Sequence, residues 1–235
     1  MTEPNIKSSL FGTTAKSLKD QNRWQLWLVV AFNTLFLYGV VKENTIRLEG
    51  VRAALTSTAN LLPIGFALII TSVLNGVLSQ DSKSRLVFLR WKDALPGHRA
   101  FTEHATSDPR IDLGQLEKLH GAKLPTEPKD QNRVWYRMYR SNESEPAVRQ
   151  VHRDFLLLRD YTGLSALFFL FYGIVGVCSI SSWKVGSLYV GCLVAQYLVV
   201  RLAAFNYGVS LVKTVLAQAS APCRKKERRS SKTPD

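Results

Sequence analysis

Apolar residues in this chain gather into four blocks, and charged residues lie between them. The first block, WQLWLVVAFNTLFLYGVV at 24–41, has 18 residues and no charge. The second, NLLPIGFALIITSVLNGVLS at 60–79, has 20 and is again uncharged, as is the third, TGLSALFFLFYGIVGVCSIS at 162–181. The fourth, VGSLYVGCLVAQYLVV at 185–200, stays apolar to about Val215 if Arg201 and Lys213 run their stems along the helix and carry their charges to the interface. About 20 apolar residues at a rise of 1.5 Å cross a hydrocarbon core roughly 30 Å thick. Four membrane-spanning helices are therefore expected. A soluble bundle is the alternative, but the rest of the chain is too polar to cover four such helices.

Charge sets the expected orientation. Lys and Arg number four before Trp24, three in 42–59, fifteen in 80–161, one in 182–184 and eight from Arg201 onward. Positive loops stay on the cytoplasmic side, so both termini and the long central segment are expected there, with the outer connections short. Trp24, Trp27, Tyr38, Trp183 and Tyr189 fall near span ends, where amphipathic rings favour the interface. The expected fold is an all-α integral membrane protein in the inner (plasma) membrane. Its four transmembrane helices form two hairpins, with a helical cytoplasmic insert between spans 2 and 3. The segments are a cytoplasmic N-terminal stretch (1–23), hairpin 1 (24–79), the insert with its stalk helices (80–161), hairpin 2 (162–215) and a disordered basic tail (216–235). The opening 23 residues have no apolar core, so a removable signal peptide is not expected.

Within the insert, SQDSKSRLVFLRWKDALPG at 79–97 keeps a helical pattern up to Pro96–Gly97. EPAVRQVHRDFLLLRDYTG at 145–163 places Val148, Val151, Phe155 and Leu158 on one stripe and leads into span 3. Both are expected to be stalk helices, each continuing a span and packing against the other and against neighbouring subunits. IDLGQLEKLHG predicts a short helix capped by Asp112 and ended by Gly121. KDQNRVWYRMYR predicts a longer one with Val134, Trp135, Met138 and Tyr139 on one side. KDQNRW at 19–24 nearly repeats its opening, but one copy abuts a span and the other lies about 27 residues before one. A duplicated unit would keep that distance, so shared local need explains the likeness better.

Candidate chemistry follows. The net charge is +13, and six of nine residues in the tail RKKERRSSK are basic. Arg224, Lys225, Lys226, Arg228 and Arg229 suit anionic lipid just inside the membrane, or serve only as a topology anchor. Asn33, Thr71, Asn75 and Gln196 fall in or beside spans, where buried amides and hydroxyls pair between helices or line a pore. Ser187, Gly191 and Ala195 recur every four residues and permit close helix contact within or between subunits. Arg133, Trp135, Tyr136, Arg137, Tyr139 and Arg140 interleave cations with aromatic rings. They suit contact with a soluble cytoplasmic protein; a nucleic acid or nucleotide signal is the alternative. The insert's fifteen basic residues face twelve acidic ones, which weakens the nucleic-acid reading.

Four histidines and three cysteines show no metal-ligand spacing, and GTTAKS lacks the second glycine of a phosphate loop. No catalytic residue, metal or cofactor is expected. An enzyme is not the expected reading.

The phrases RWKDALPGHRAF, DPRID, QNRVWYRMYR and LLLRDYTGLSALF, spread over roughly 85–170, resemble those of four-span effector proteins of bacterial anti-phage defence systems. That resemblance implies an effector that senses a soluble partner or nucleotide and then permeabilises or depolarises the membrane. A homo-oligomer is expected on separate grounds, because a single four-helix subunit encloses little and a conducting path needs several copies around an axis. The rival expectation is a non-conducting anchor or scaffold that docks a soluble protein.

Overall fold

The computed structural model describes residues 21–43, 46–48, 50, 69–71, 73–180 and 182–221. Regular structure among them is all helical, with no strand. Helix α1 is Arg23–Val41, residues 69–71 and 73–77 are helical, and α2 is Gln80–Phe88. A 3₁₀ turn, Pro96–Arg99, runs into a π turn, Ala100–His104, and is followed by α3 (Leu113–His120) and α4 (Pro128–Asn142). Helix α5 (Pro146–Leu167) passes through a second π turn, Phe168–Tyr172, into α6 (Gly173–Ser179), and α7 is Trp183–Ser220. Three helices are long and apolar enough to cross a membrane: Arg23–Val41, Pro146–Ser179 and Trp183–Ser220. Most of the expected second span, including Pro63, lies outside the described residues, as do the basic tail residues Arg224, Lys225, Lys226, Arg228 and Arg229.

The chain divides into two units, Met1–Lys83 with Leu156–Arg201 and Ser84–Phe155 with Leu202–Asp235. In the first, α1 buries Val30, Asn33, Thr34 and Leu37, the spacing of a single helical face. Val30 and Leu37 join Leu164, Phe168, Tyr172, Tyr189 and Leu193 in one apolar cluster. Gly176 lets the ring of Tyr189 approach so closely that a Cβ there would sit 2.8 Å from it.

In the second unit, Ala100, Phe101, Ala105, Ile111, Leu116, Val134, Val212 and Leu216 form the core. Helix α3 ends as its sequence predicts: the Asp112 carboxylate accepts from the Gln115 amide at 3.0 Å, and Gly121 turns left-handed at φ 73°. Helix α4 starts with Pro128 in its first turn and turns Val134 into the core, with Trp135 and Met138 packed beside it. Gln131 ties α4 to the π turn: its Oε1 accepts from the Phe101 amide at 3.0 Å and from the Thr102 amide and hydroxyl at 3.2 Å, and its Nε2 donates to Thr126 O at 2.7 Å.

Two boundaries differ from expectation. The first stalk is not one helix continuing span 2. The helix breaks at Leu78–Ser79, and α2 restarts with the Ser82 amide donating to Ser79 Oγ at 3.1 Å. It then stops at Phe88, because Leu89 adopts a left-handed φ of 50°. Phe88 already lies against Phe155 and Phe205, and the residues that follow it, Leu89 to Lys92, are all exposed. Pro96–Gly97, expected to end that helix, instead opens the 3₁₀ turn. The tail begins later than residue 216, since α7 runs to Ser220 and Leu216 is fully buried in the core of the second unit.

Candidate functional site

The first unit holds three sets of buried and half-buried polar groups, built mainly on its long apolar helices. On α1, Thr34 bonds back to Val30 O at 2.8 Å, and its hydroxyl meets the Tyr172 hydroxyl at 2.8 Å. Thr71 reaches the same phenol at 3.3 Å. Tyr172 stands at the end of the second π turn, the kind of local widening that re-aims a side chain within a helix. Beside this trio, Asn33 is 1% exposed and donates Nδ2 to Val29 O at 2.9 Å. Its Oδ1 meets no hydrogen-bond partner among the described residues. Farther along, Gln196 Nε2 donates to the Tyr161 hydroxyl at 3.0 Å. Asn75 Oδ1 is buried without a partner among the described residues and faces Gly163, where a Cβ would sit 3.5 Å from it.

The third set is an ion cluster. Lys83 Nζ donates to Asp160 Oδ1 at 3.1 Å, and Arg159 Nη2 approaches the same oxygen at 3.5 Å. Arg159 Nη1 also lies 3.5 Å from Gln80 Oε1. All three charged residues are buried, at 5%, 2% and 6% exposure for Lys83, Asp160 and Arg159. Removing such ions from water costs several kcal/mol each unless they are paired. Paired as they are, the three charges form the polar set that costs most to desolvate among those described in this unit.

Asn33, Thr71, Asn75 and Gln196, the expected polar positions, thus lie in one unit but are not joined to one another: Thr71 meets the Tyr172 hydroxyl, Gln196 the Tyr161 hydroxyl, and Asn33 the Val29 carbonyl. Lys83, Arg159 and Asp160 do not stand out in the sequence, because they sit just outside the uncharged blocks and read as ordinary loop charges. The signal that finds them is helical phase. Asp160 lies on the same turn as Gly163 and Leu164, which face the interior, so its side chain cannot point to solvent.

The small-residue face behaves differently. Ser187, Gly191 and Ala195 are all exposed, and a Cβ on Gly191 would meet nothing within 4 Å.

In the second unit, the arginine–aromatic helix splits its six candidates. Arg133, Tyr136, Arg137 and Arg140 face outward, whereas Trp135 stacks on Tyr139 at 5.8 Å and the Tyr139 hydroxyl bonds His152 Nδ1 at 2.9 Å. Two of the outward cations are already paired, Arg133 with Asp130 at 3.5 Å and Arg140 with Glu143 at 2.8 Å. Arg137 lines a cleft of about 1260 Å3 with His120, Glu145 and Gln218.

Two buried ionisable groups of this unit are shifted. Burial pushes the His104 pKa down, and Arg99, Lys213 and Arg90 add to that effect against the opposing pull of Glu103. Hydrogen bonds from Arg110 hold the Asp108 carboxyl at about 2. Among the described residues, no group of three or more His, Cys, Asp or Glu side chains is placed to hold a metal.

No family model, curated protein or solved structure matches this chain.

Proposed function

We propose that this protein is a regulated membrane effector whose polar interior opens a path across the bilayer. The carrying observation is that one unit gathers three sets of buried or half-buried polar groups among its apolar helices: the Lys83–Asp160–Arg159 cluster, the Tyr161–Gln196 pair, and the Thr34–Tyr172–Thr71 trio. Polar groups among apolar spans must each be paired or hydrated, and a gated path gives them a use beyond pairing helices.

In this reading the chain crosses the inner membrane four times, with both termini and the insert in the cytoplasm. The insert receives the signal and α5, which continues as helix from the insert into a span, carries it. Several copies surround the path, with the open Ser187–Gly191–Ala195 face as the natural contact between them. The setting in bacterial anti-phage defence comes from the phrase-level resemblance within 85–170 and from nothing else.

The test is membrane potential in cells producing the full chain. Production of the triggered protein depolarises the membrane, and Asn75→Leu with Gln196→Leu abolishes that response at equal membrane abundance. Unchanged depolarisation in the double variant refutes the assignment.

A second reading, a non-conducting anchor that docks a soluble protein, draws on the outward Tyr136, 52% exposed, and its neighbours Arg133, Arg137 and Arg140. Charge reversal at Arg137 and Arg140 would then release a co-purifying protein and leave membrane insertion intact.

A further inference from the structure

The segment between α2 and the 3₁₀ turn places a large apolar surface in the open. Trp91 is 83% exposed and Leu89 60% exposed, with Arg90 and Lys92, also exposed, interleaved between them and Asp93. Such a surface is ordinarily buried, and here the local backbone holds it outward. Leu89 and Asp93 both take positive φ, 50° and 48°. An aspartate tolerates that conformation, whereas a leucine pays for it sterically. The loop is pinned at both ends. The Leu89 amide donates to Arg85 O at 2.8 Å, Arg99 Nη1 donates to Asp93 O at 3.3 Å, and His98 Nε2 lies 3.5 Å from Asp93 Oδ1.

The surroundings of this loop within its own unit are set by helix α7, on which Leu202, Phe205 and Tyr207 are 57%, 36% and 39% exposed. Phe88 packs on Phe205 with ring centroids 5.6 Å apart, and a Cβ on Gly208 would sit 2.7 Å from its ring. The residue after Phe88 is Leu89. The loop therefore leaves α2 beside the exposed apolar side of α7.

We infer that the Leu89–Asp93 loop docks on the bilayer itself: Trp91 and Leu89 enter the headgroup–acyl boundary while Arg90 and Lys92 bind anionic lipid headgroups. An indole with an apolar body and a polar N–H favours that boundary, and two cations beside it favour anionic over neutral lipid. The inference rests on α7 being a span. It adds a lipid-composition-sensitive contact to the insert, independent of the basic tail.

The test uses the full chain reconstituted into phosphatidylcholine vesicles with and without phosphatidylglycerol, the acyl chains brominated near the headgroup. The emission difference between the native chain and Trp91→Phe isolates Trp91. That difference signal is expected to be quenched, about two-fold more strongly with anionic lipid, and Arg90→Glu with Lys92→Glu is expected to remove the gain. A Trp91 signal unquenched in both vesicles overturns the inference and leaves the loop facing water or a protein. Quenching equal in both lipids and indifferent to charge reversal overturns the anionic-headgroup assignment. Quenching of the remaining tryptophans in Trp91→Phe reports insertion of the spans. Its absence overturns the spanning reading along with the inference, so the two failures are distinguishable.

Discussion

Gln131 shows how one side chain can hold a turn. Its single carbonyl oxygen serves two backbone amides and a hydroxyl of the Ala100–His104 turn, and the residue is 1% exposed. Gln131→Leu keeps the volume and removes the acceptor, leaving buried amides without a partner. The expected cost is about 2–3 kcal/mol, read as a lower thermal midpoint in detergent.

His104 and Asp108 set the pH response of the same region. The folded pKa of His104 lies below its ordinary 6.5, so on acidification the unfolded chain takes up a proton that the folded chain resists. Its contribution is complete above pH 6.5 and declines as pH falls below it. The pKa of Asp108 is lowered from 3.8 to about 2, so its contribution is present above 3.8 and is lost only as pH falls towards 2. His104 therefore contributes a loss of stability as pH falls below 6.5, and His104→Gln is expected to flatten that part of an unfolding-versus-pH curve. The near-repeat KDQN illustrates what was legible at this scale. In the second copy Gln131 is a buried clamp, whereas Gln21 of the first copy is exposed, so local sequence likeness carried no shared role.

Among the elements, close approach decides which glycines matter. A Cβ on Gly208 would lie 2.7 Å from the Phe88 ring and 2.9 Å from Phe155, where α2, α5 and α7 converge. Gly208→Ala is expected to cost about 1–3 kcal/mol by overpacking. Gly191→Ala, on the same helix but in open space, is expected to be neutral or stabilising by up to about 1 kcal/mol through helix propensity. Comparing the two thermal midpoints separates packing from propensity. The caps of α3 and the apolar stripe of α4 were readable because both are local patterns. The end of α2 was not, since Leu89 looks like a helix former and only the packing of Phe88 on Phe155 and Phe205 shows why the helix has no reason to continue.

For the whole molecule, the buried ion cluster is the feature with the largest energetic leverage. Asp160 serves two cations, Lys83 at 3.1 Å and Arg159 at 3.5 Å. Asp160→Leu would leave both without that carboxylate and is expected to cost about 3–5 kcal/mol. Lys83→Met, which leaves Asp160 beside Arg159, should cost less. Equal losses in a chemical or thermal unfolding series would mean that the cluster does not act as a unit.

The sequence by itself determined the helical class, three of the long apolar helices and the short capped helix. These are properties of composition and period along one strand of chain, and hydrocarbon thickness or helical repeat converts them directly into elements. Tertiary structure decided which of the polar residues meet and which charges are buried. It placed Tyr172 between Thr34 and Thr71, joined Gln196 to Tyr161, and turned Lys83 and Arg159 onto Asp160. Those partners lie from one to 138 positions apart, and no local pattern encodes such pairings. Only the packing of helices sets which faces close on one another, and burial then compels charges that would be solvated in a loop to find each other.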